Sequence, residues 1–154
     1  MTDVFAGAAA PDFTLETPEG PVSLADFKGK TLVLYFYPKD DTAGCTKEAQ
    51  DFQASIPKFK KAGAEVIGIS KDTVASHDKF AAKYDLSFPL MSDTEGKACE
   101  AFGAWVEKSL YGRKYMGIER ATFLIDAKGV VRNVWRKVKV PGHVDAVLAA
   151  VKAL

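Results

Sequence analysis

Seven consecutive residues, Thr31-Leu32-Val33-Leu34-Tyr35-Phe36-Tyr37, carry no charge and are almost all β-branched, aromatic or leucine. A strand with one wet face alternates apolar and polar side chains, whereas a run without alternation has to be covered on both faces. This run therefore predicts a central strand with helices packed above and below its sheet. Pro38, which has no N–H to give to a ladder, ends it. Ala64-Glu65-Val66-Ile67-Gly68-Ile69-Ser70, entered through Gly63, reads as a second buried strand.

The remaining elements arrange themselves around these two. Phe13–Glu16 and Val22–Leu24 flank a turn-like Pro18-Glu19-Gly20-Pro21 and read as two short strands. Cys45, Ala49, Phe52, Ile56 and Phe59 recur at helical spacing, with Pro57 expected to bend or break that helix. Asp72 or Thr73 can cap a second helix reaching about Tyr84. Phe88–Met91 looks like a short strand, and a short helix follows from Lys97 to Phe102. Ala121–Asp126 and Val130–Trp135, joined by Ala127-Lys128-Gly129, form a hairpin. Val144, Val147, Leu148, Val151 and Leu154 line the last helix, with Pro141 in its starting turn. The order β-β-β-α-β-α-β-α-β-β-α predicts an α/β chain, a single domain over residues 1–154, with a mixed central sheet flanked by helices. Between Phe102 and Arg120 no regular element is legible. The expectation is a long loop packing Trp105, Tyr111 and Tyr115 near the site.

Composition removes several functions. A net charge of +1 offers no footprint for nucleic acid or an anionic membrane. Two cysteines are too few for a secreted disulfide framework. The first residues lack the basic start and apolar run of a leader, and no stretch reaches the roughly 20 apolar residues of a membrane span. The expected setting is a reducing cytoplasm, where a cysteine is more often reactive than structural.

Cys45 stands where the first buried strand hands over to a helix. A helix start presents unpaired N–H groups and partial positive charge, and both favour the nucleophilic thiolate. On periodicity alone Cys45 reads equally well as a core thiol, because it lies on the apolar stripe. Gly44, Thr42 and Pro38 tip the balance: close backbone approach, a hydroxyl and a fixed loop entry are of no use to a thiol that only fills space. Arg120 directly precedes a buried strand, where a planar, always-charged donor can be held rigidly. Cys99 reads first as a structural thiol on a short helix, with a resolving role as the alternative. His77 and His143 read as helix-borne bystanders, and with the cysteines they make no metal-ligand spacing. Phosphate-binding glycine loops, a Gly-x-Ser-x-Gly elbow and a Cys-x-x-Cys pair are all missing from the sequence.

Pro38-x-x-x-Thr42-x-x-Cys45 resembles the active-site pattern of the peroxiredoxins. Ala10-Pro11-Asp12-Phe13, Leu32–Pro38, Ile69-Ser70-x-Asp72, Phe88-Pro89-Leu90-x-Ser92-Asp93 and Arg120-x-x-Phe123-Leu124-Ile125-Asp126 resemble further segments of that family, in the same order. Nearly the whole chain is covered, and its length is similar to that of the bacterioferritin comigratory protein (PrxQ) group. The resemblance implies a thioredoxin-like fold with an N-terminal β-hairpin extension. It also implies a peroxidatic Cys45 assisted by Thr42, Arg120, Pro38 and the N–H groups of Gly44 and Cys45. Hydroperoxides would be the substrates, no cofactor would be needed, and the protein would be a monomer. Two residues depart from the pattern. Ala43 replaces a common proline, and Gln50 stands where many members of the group place a resolving cysteine. An external thiol from thioredoxin, glutaredoxin or a small molecule would then recycle Cys45. A peroxide sensor that relays oxidation to a partner protein, or a thiol–disulfide oxidoreductase, are the alternative readings.

Overall fold

The computed structural model describes residues 4–154; Met1, Thr2 and Asp3, where the sequence lacks the basic start of a leader, lie outside them. A hairpin of β1 (Thr14–Thr17) and β2 (Gly20–Ser23) precedes β3 (Thr31–Phe36), α1 (Ala43–Lys61), β4 (Ala64–Ser70) and α2 (Val74–Tyr84). Then come β5 (Leu90–Ser92), α3 (Lys97–Ala101), β6 (Trp105–Leu110), β7 (Arg113–Ile118), β8 (Ala121–Ile125), β9 (Val131–Trp135) and α4 (His143–Lys152). Seven strands form one sheet in the order β2-β1-β5-β4-β3-β8-β9. Its centre, β5-β4-β3, is parallel, and antiparallel strands extend it on both sides. This is the mixed, helix-flanked sheet expected from the element order.

The uncharged run sits at the heart of this sheet and sorts the two cores. Side chains alternate across a strand. Val33, Tyr35 and Tyr37 therefore join Phe52 and Phe59 of α1, Phe80 of α2 and Val147 of α4 on one face. Leu32, Leu34 and Phe36 join Phe13, Phe123 and the α3 residues Ala98 and Cys99 on the other. The parallel register sets Tyr35 opposite Gly68. A side chain there would be crowded, since a Cβ at Gly68 would stand 3.0 Å from Tyr35 Oη and 3.0 Å from Leu90 Cδ2.

Three local expectations change. Pro57 does not break α1, which runs on to Lys61. The proline is exposed, while Phe52, Ile56 and Phe59 are anchored in the core on either side of it. The lost hydrogen bond thus falls on the solvent side, where water can take the freed carbonyl. The strand expected at Phe88 begins at Leu90, because Pro89 cannot donate to a ladder; its carbonyl instead accepts from Gly68 N at 3.1 Å.

The largest change lies between Phe102 and Arg120, where β6 and β7 form a two-stranded hairpin instead of a loop. Tyr111 and Gly112 at its tip have φ of 52° and 78°, the paired left-handed conformation of a tight hairpin turn. The expected packing of aromatics does not occur at the tip. Tyr111 is 99% exposed and Tyr115 is 47% exposed, because a hairpin with no sheet partner leaves much of its surface in water.

Gly68→Ala is expected to lower the unfolding free energy by about 1–3 kcal/mol through overpacking. Urea denaturation compared with the unsubstituted chain measures it.

Candidate active site

The antiparallel register of β3 and β8 pairs Phe36 with Ala121. The residues that leave β3 and those that enter β8 thus lie at the same end of the sheet. One exit leads through Pro38 to the start of α1, and the other is Arg120. Cys45, the third residue of α1, is 2% exposed. Arg120 Nη2 donates to Cys45 Sγ at 3.4 Å. Gly44 makes the approach possible, since a Cβ there would stand 3.2 Å from the same nitrogen.

Glu48 holds the other side of the guanidinium. Its Oε1 accepts from Arg120 Nη1 at 2.7 Å, and the residue is fully buried. Burial pushes the Glu48 carboxyl up to about 7, with Arg120 pulling the other way. Burial also works against the charge of Arg120, but Glu48 and Cys45 outweigh it and keep the guanidinium firmly protonated. The sequence reading passed over Glu48, although a signal was present. It stands three residues after Cys45 on an apolar face, where a carboxylate has to find a partner.

Thr42 occupies the N-cap of α1 and does not cap it. Its hydroxyl donates backwards to the carbonyl of Lys39 at 2.8 Å. The first backbone bond of the helix is Thr46 N to Thr42 O at 2.8 Å. The N–H groups of Ala43, Gly44 and Cys45 therefore have no intrahelical acceptor. Pro38 is half-buried beside fully buried Tyr37 at the base of the same loop.

Lys108 is a further residue that the sequence reading missed, because it lies on the unforeseen hairpin. It is half-buried on β6, and its stem lies along Gly117, where a Cβ would be 3.3 Å from Lys108 Cδ. Burial and the charge of Arg120 lower its pKa, while Cys45 and Glu119 act in the opposite direction. The hairpin thus brings a lysine near enough to feel the charges of Arg120 and Cys45.

The two histidines are not the helix-borne bystanders expected. His77 is fully buried, with Nδ1 at 2.7 Å from Asp40 Oδ2 and Nε2 at 2.9 Å from the carbonyl of Met91. Asp40 also accepts from Tyr37 Oη at 2.6 Å and Ser76 Oγ at 2.8 Å, which fastens the loop before Cys45 to α2. Asp40, Asp72 and His77 bring donor atoms within 4.8 Å of one another, a closeness accounted for by the His77–Asp40 bond and by Asp40 N–H donating to Asp72 Oδ2 at 2.8 Å. His143 stands at the start of α4 with Nε2 at 2.7 Å from Thr122 Oγ1, and burial with the charge of Arg120 takes its imidazole down to about 4.

Cys99 is fully buried in the core on the opposite face of the sheet from Cys45. Burial, reinforced by Asp93, raises its pKa far above the ordinary thiol range. Asp93 also accepts from the N–H groups of Ala98 at 3.2 Å and Cys99 at 2.7 Å, which pins the start of α3. The structure thus gathers Pro38, Thr42, Gly44, Cys45 and Arg120 in one place and leaves Cys99 out.

Comparison with known proteins gives a consistent picture. The AhpC/TSA family model matches residues 6–134. A putative peroxiredoxin bcp from Coxiella burnetii is 55% identical over 143 residues, covering 92% of this chain and 95% of the relative. Peroxiredoxin Bcp from Xanthomonas campestris is 52% identical over 147 residues, covering 95% of this chain and 92% of the relative. The structure of X. campestris peroxiredoxin Q superposes with a TM-score of 0.90 at 50% identity, covering 99% of this chain and 97% of the other. A complex of the X. campestris bacterioferritin comigratory protein, described for its alkyl peroxide reduction activity, gives a TM-score of 0.90 at 49% identity, with 99% and 98% covered.

Glu48 holds its proton more tightly when folded, at about 7 against an ordinary 4.5. The folded state then binds more protons than the unfolded state between those values, and its stability falls as pH rises through that window. Glu48→Gln has no such proton. The unfolding free energy of the unsubstituted chain, taken relative to the variant, is expected to drop by up to about 3 kcal/mol between about pH 5 and about pH 8. Urea titrations across that range measure it, and a flat difference would count against the assignment.

Proposed function

Because this chain belongs to the AhpC/TSA family, and within it to the Bcp/PrxQ peroxiredoxins, which are thiol-dependent peroxidases, we propose that Cys45 reduces hydrogen peroxide and organic hydroperoxides and is restored by an external thiol. The observation that carries this reading is the guanidinium of Arg120, held by Glu48 at 2.7 Å and set 3.4 Å from Cys45 Sγ at the head of α1. The alkyl peroxide reduction of the X. campestris relative supports organic hydroperoxides as substrates.

In the first step the Cys45 thiolate attacks one oxygen of the hydroperoxide. The S–O bond forms as the O–O bond breaks, and the departing pair leaves on an alkoxide or hydroxide that takes up a proton. Cys45 becomes a sulfenic acid and the substrate becomes an alcohol or water. Charge spreads onto the two oxygens on the way. Arg120 keeps N–H donors beyond those given to Glu48 and Cys45, and the first-turn N–H groups of α1 add to them. Thr42 takes the part of an acceptor. Its proton is committed to Lys39, and its oxygen therefore offers lone pairs that can accept the O–H of the hydroperoxide.

In the second step a thiol attacks the sulfenic sulfur, giving a mixed disulfide and water. A second thiol then releases Cys45 and leaves with the first as a disulfide. Cys99 is poorly placed to be that first thiol. A bridge needs Cα atoms within roughly 4.4–6.8 Å, and the sheet separates the two cysteines. Thioredoxin, glutaredoxin or a small thiol is the reductant this favours. Likeness to the PrxQ group favours a monomeric enzyme, and dependence on reduced thiols favours a cytoplasmic location.

Cys45→Ser is expected to abolish peroxide turnover, and Arg120→Ala to slow oxidation of Cys45 by about 10²–10³-fold, as loss of an oriented transition-state donor does. Stopped-flow measurement of both variants with hydrogen peroxide decides it; near-normal oxidation of Arg120→Ala would sink the electrostatic account. Mass spectrometry of the peroxide-treated protein is expected to find Cys45 oxidised and Cys99 a free thiol. A Cys45–Cys99 disulfide within one chain would overturn the one-cysteine cycle.

A further inference from the structure

The Ile69-Ser70-Lys71-Asp72 segment at the end of β4 has no part in the cycle above, yet it touches the loop that carries Thr42. The contact is made through one peptide group, Lys39–Asp40. Its carbonyl accepts the Thr42 hydroxyl at 2.8 Å, and its N–H donates to Asp72 Oδ2 at 2.8 Å. A peptide unit is planar, so the bond that fixes its N–H also fixes the direction of its carbonyl. Asp72 is itself aimed by Ser70. The fully buried Ser70 hydroxyl donates to Asp72 Oδ2 at 2.6 Å, and Ser70 Oγ accepts from Asp72 N at 3.1 Å.

The competing arrangement is easy to name. A threonine at an N-cap ordinarily turns its oxygen to the free N–H groups of the first helical turn. That arrangement would use up a Thr42 lone pair and an N–H donor beside Cys45. Here the cap bond is absent, and the Thr42 hydroxyl is drawn the other way by the Lys39 carbonyl.

We propose that Asp72 is a positioning residue for peroxide reduction, holding the Lys39–Asp40 peptide in the orientation that draws the Thr42 proton away from the helix start and leaves the Thr42 oxygen to accept from the hydroperoxide. This rests on the reading of Cys45 as the peroxidatic thiol. Asp72 acts through Thr42 and touches neither Cys45 nor substrate. Ser70 is the support that aims it. The cap of α2 falls to Thr73, whose Oγ1 accepts from Ser76 N at 3.1 Å, so Asp72 is not needed there.

The experiment compares Asp72→Ala, Asp72→Asn, Thr42→Val and the double variant Thr42→Val with Asp72→Ala, using stopped-flow oxidation of Cys45 by hydrogen peroxide. Alkylation of Cys45 by iodoacetamide, which needs no hydrogen bond to a peroxide, is measured in parallel. Asp72→Ala is expected to slow oxidation about tenfold, the loss typical of one orienting hydrogen bond, with alkylation unchanged. Asp72→Asn keeps an oxygen for Asp40 N–H and is expected to stay within about threefold of the unsubstituted protein. In the Thr42→Val background, removing Asp72 is expected to have no further effect. Should Asp72→Ala not fold, Ser70→Ala carries the test, with a smaller loss in the same direction. Oxidation of Asp72→Ala at the unsubstituted rate, a full loss persisting without the Thr42 hydroxyl, or a parallel loss of alkylation would each overturn the proposal. Failure of the unsubstituted protein to be oxidised at Cys45 would instead overturn the peroxidase reading beneath it.

Discussion

The buried pair between Glu48 and Arg120, 2.7 Å apart, ties the second turn of α1 to the strand that enters beside it. Removing two charges from water costs several kcal/mol per ion, and their mutual attraction repays this only with good geometry. The pair is therefore better understood as a means of placement than as a source of stability. It fixes a cation at the one point where β3, β8 and α1 converge, and Cys45 Sγ lies within reach of its second nitrogen. Without Glu48 the guanidinium would have no buried carboxylate to keep it from swinging towards solvent.

Placement matters more here than ionisation. Lowering the pKa of a thiol from about 8.5 to about 6 raises its thiolate fraction at neutral pH roughly 30-fold. The same change lowers its intrinsic nucleophilicity by about 10- to 20-fold, on the slope known for thiol–disulfide exchange. The two effects nearly cancel. The rate advantage has to come from orienting the peroxide and meeting the charge on its oxygens. In the proposed mechanism the groups for that purpose are Arg120, the open helix start and a Thr42 hydroxyl turned away from its usual cap. The same sheet that gathers these groups keeps Cys99 behind it, among Phe102 and Ala104.

Much of this was legible in the residues. The uncharged run at Thr31–Tyr37 announces a strand covered on both faces, and the helical spacing from Cys45 to Phe59 announces the helix that covers one of them. Signals of this kind are local, repeat over many residues and depend on burial alone. The hairpin of β6 and β7 was not legible, because Glu107, Lys108, Lys114 and the exposed Tyr115 and Met116 give no clean alternation. A strand pair outside the main sheet has no fully buried face to impose one. Lys108 was missed with it. Pro57 was over-read, because its effect depends on whether the lost bond faces water, and that is known only once the helix has docked.

The sequence by itself determined the mixed sheet and the order of its elements along the chain, because these follow from periodicity and turn chemistry; it singled out Pro38, Thr42, Cys45 and Arg120 through their resemblance to the peroxiredoxin pattern. Tertiary structure alone decided that Glu48 is the partner of Arg120, that His77 locks the loop before Cys45, that Asp72 reaches the peptide holding Thr42, and that the two cysteines lie on opposite faces. These are pairings between residues 32 to 75 positions apart, as in Arg120 with Glu48, Cys45 with Arg120 and Asp40 with Asp72. Strand order and register choose such partners, and no local pattern encodes them.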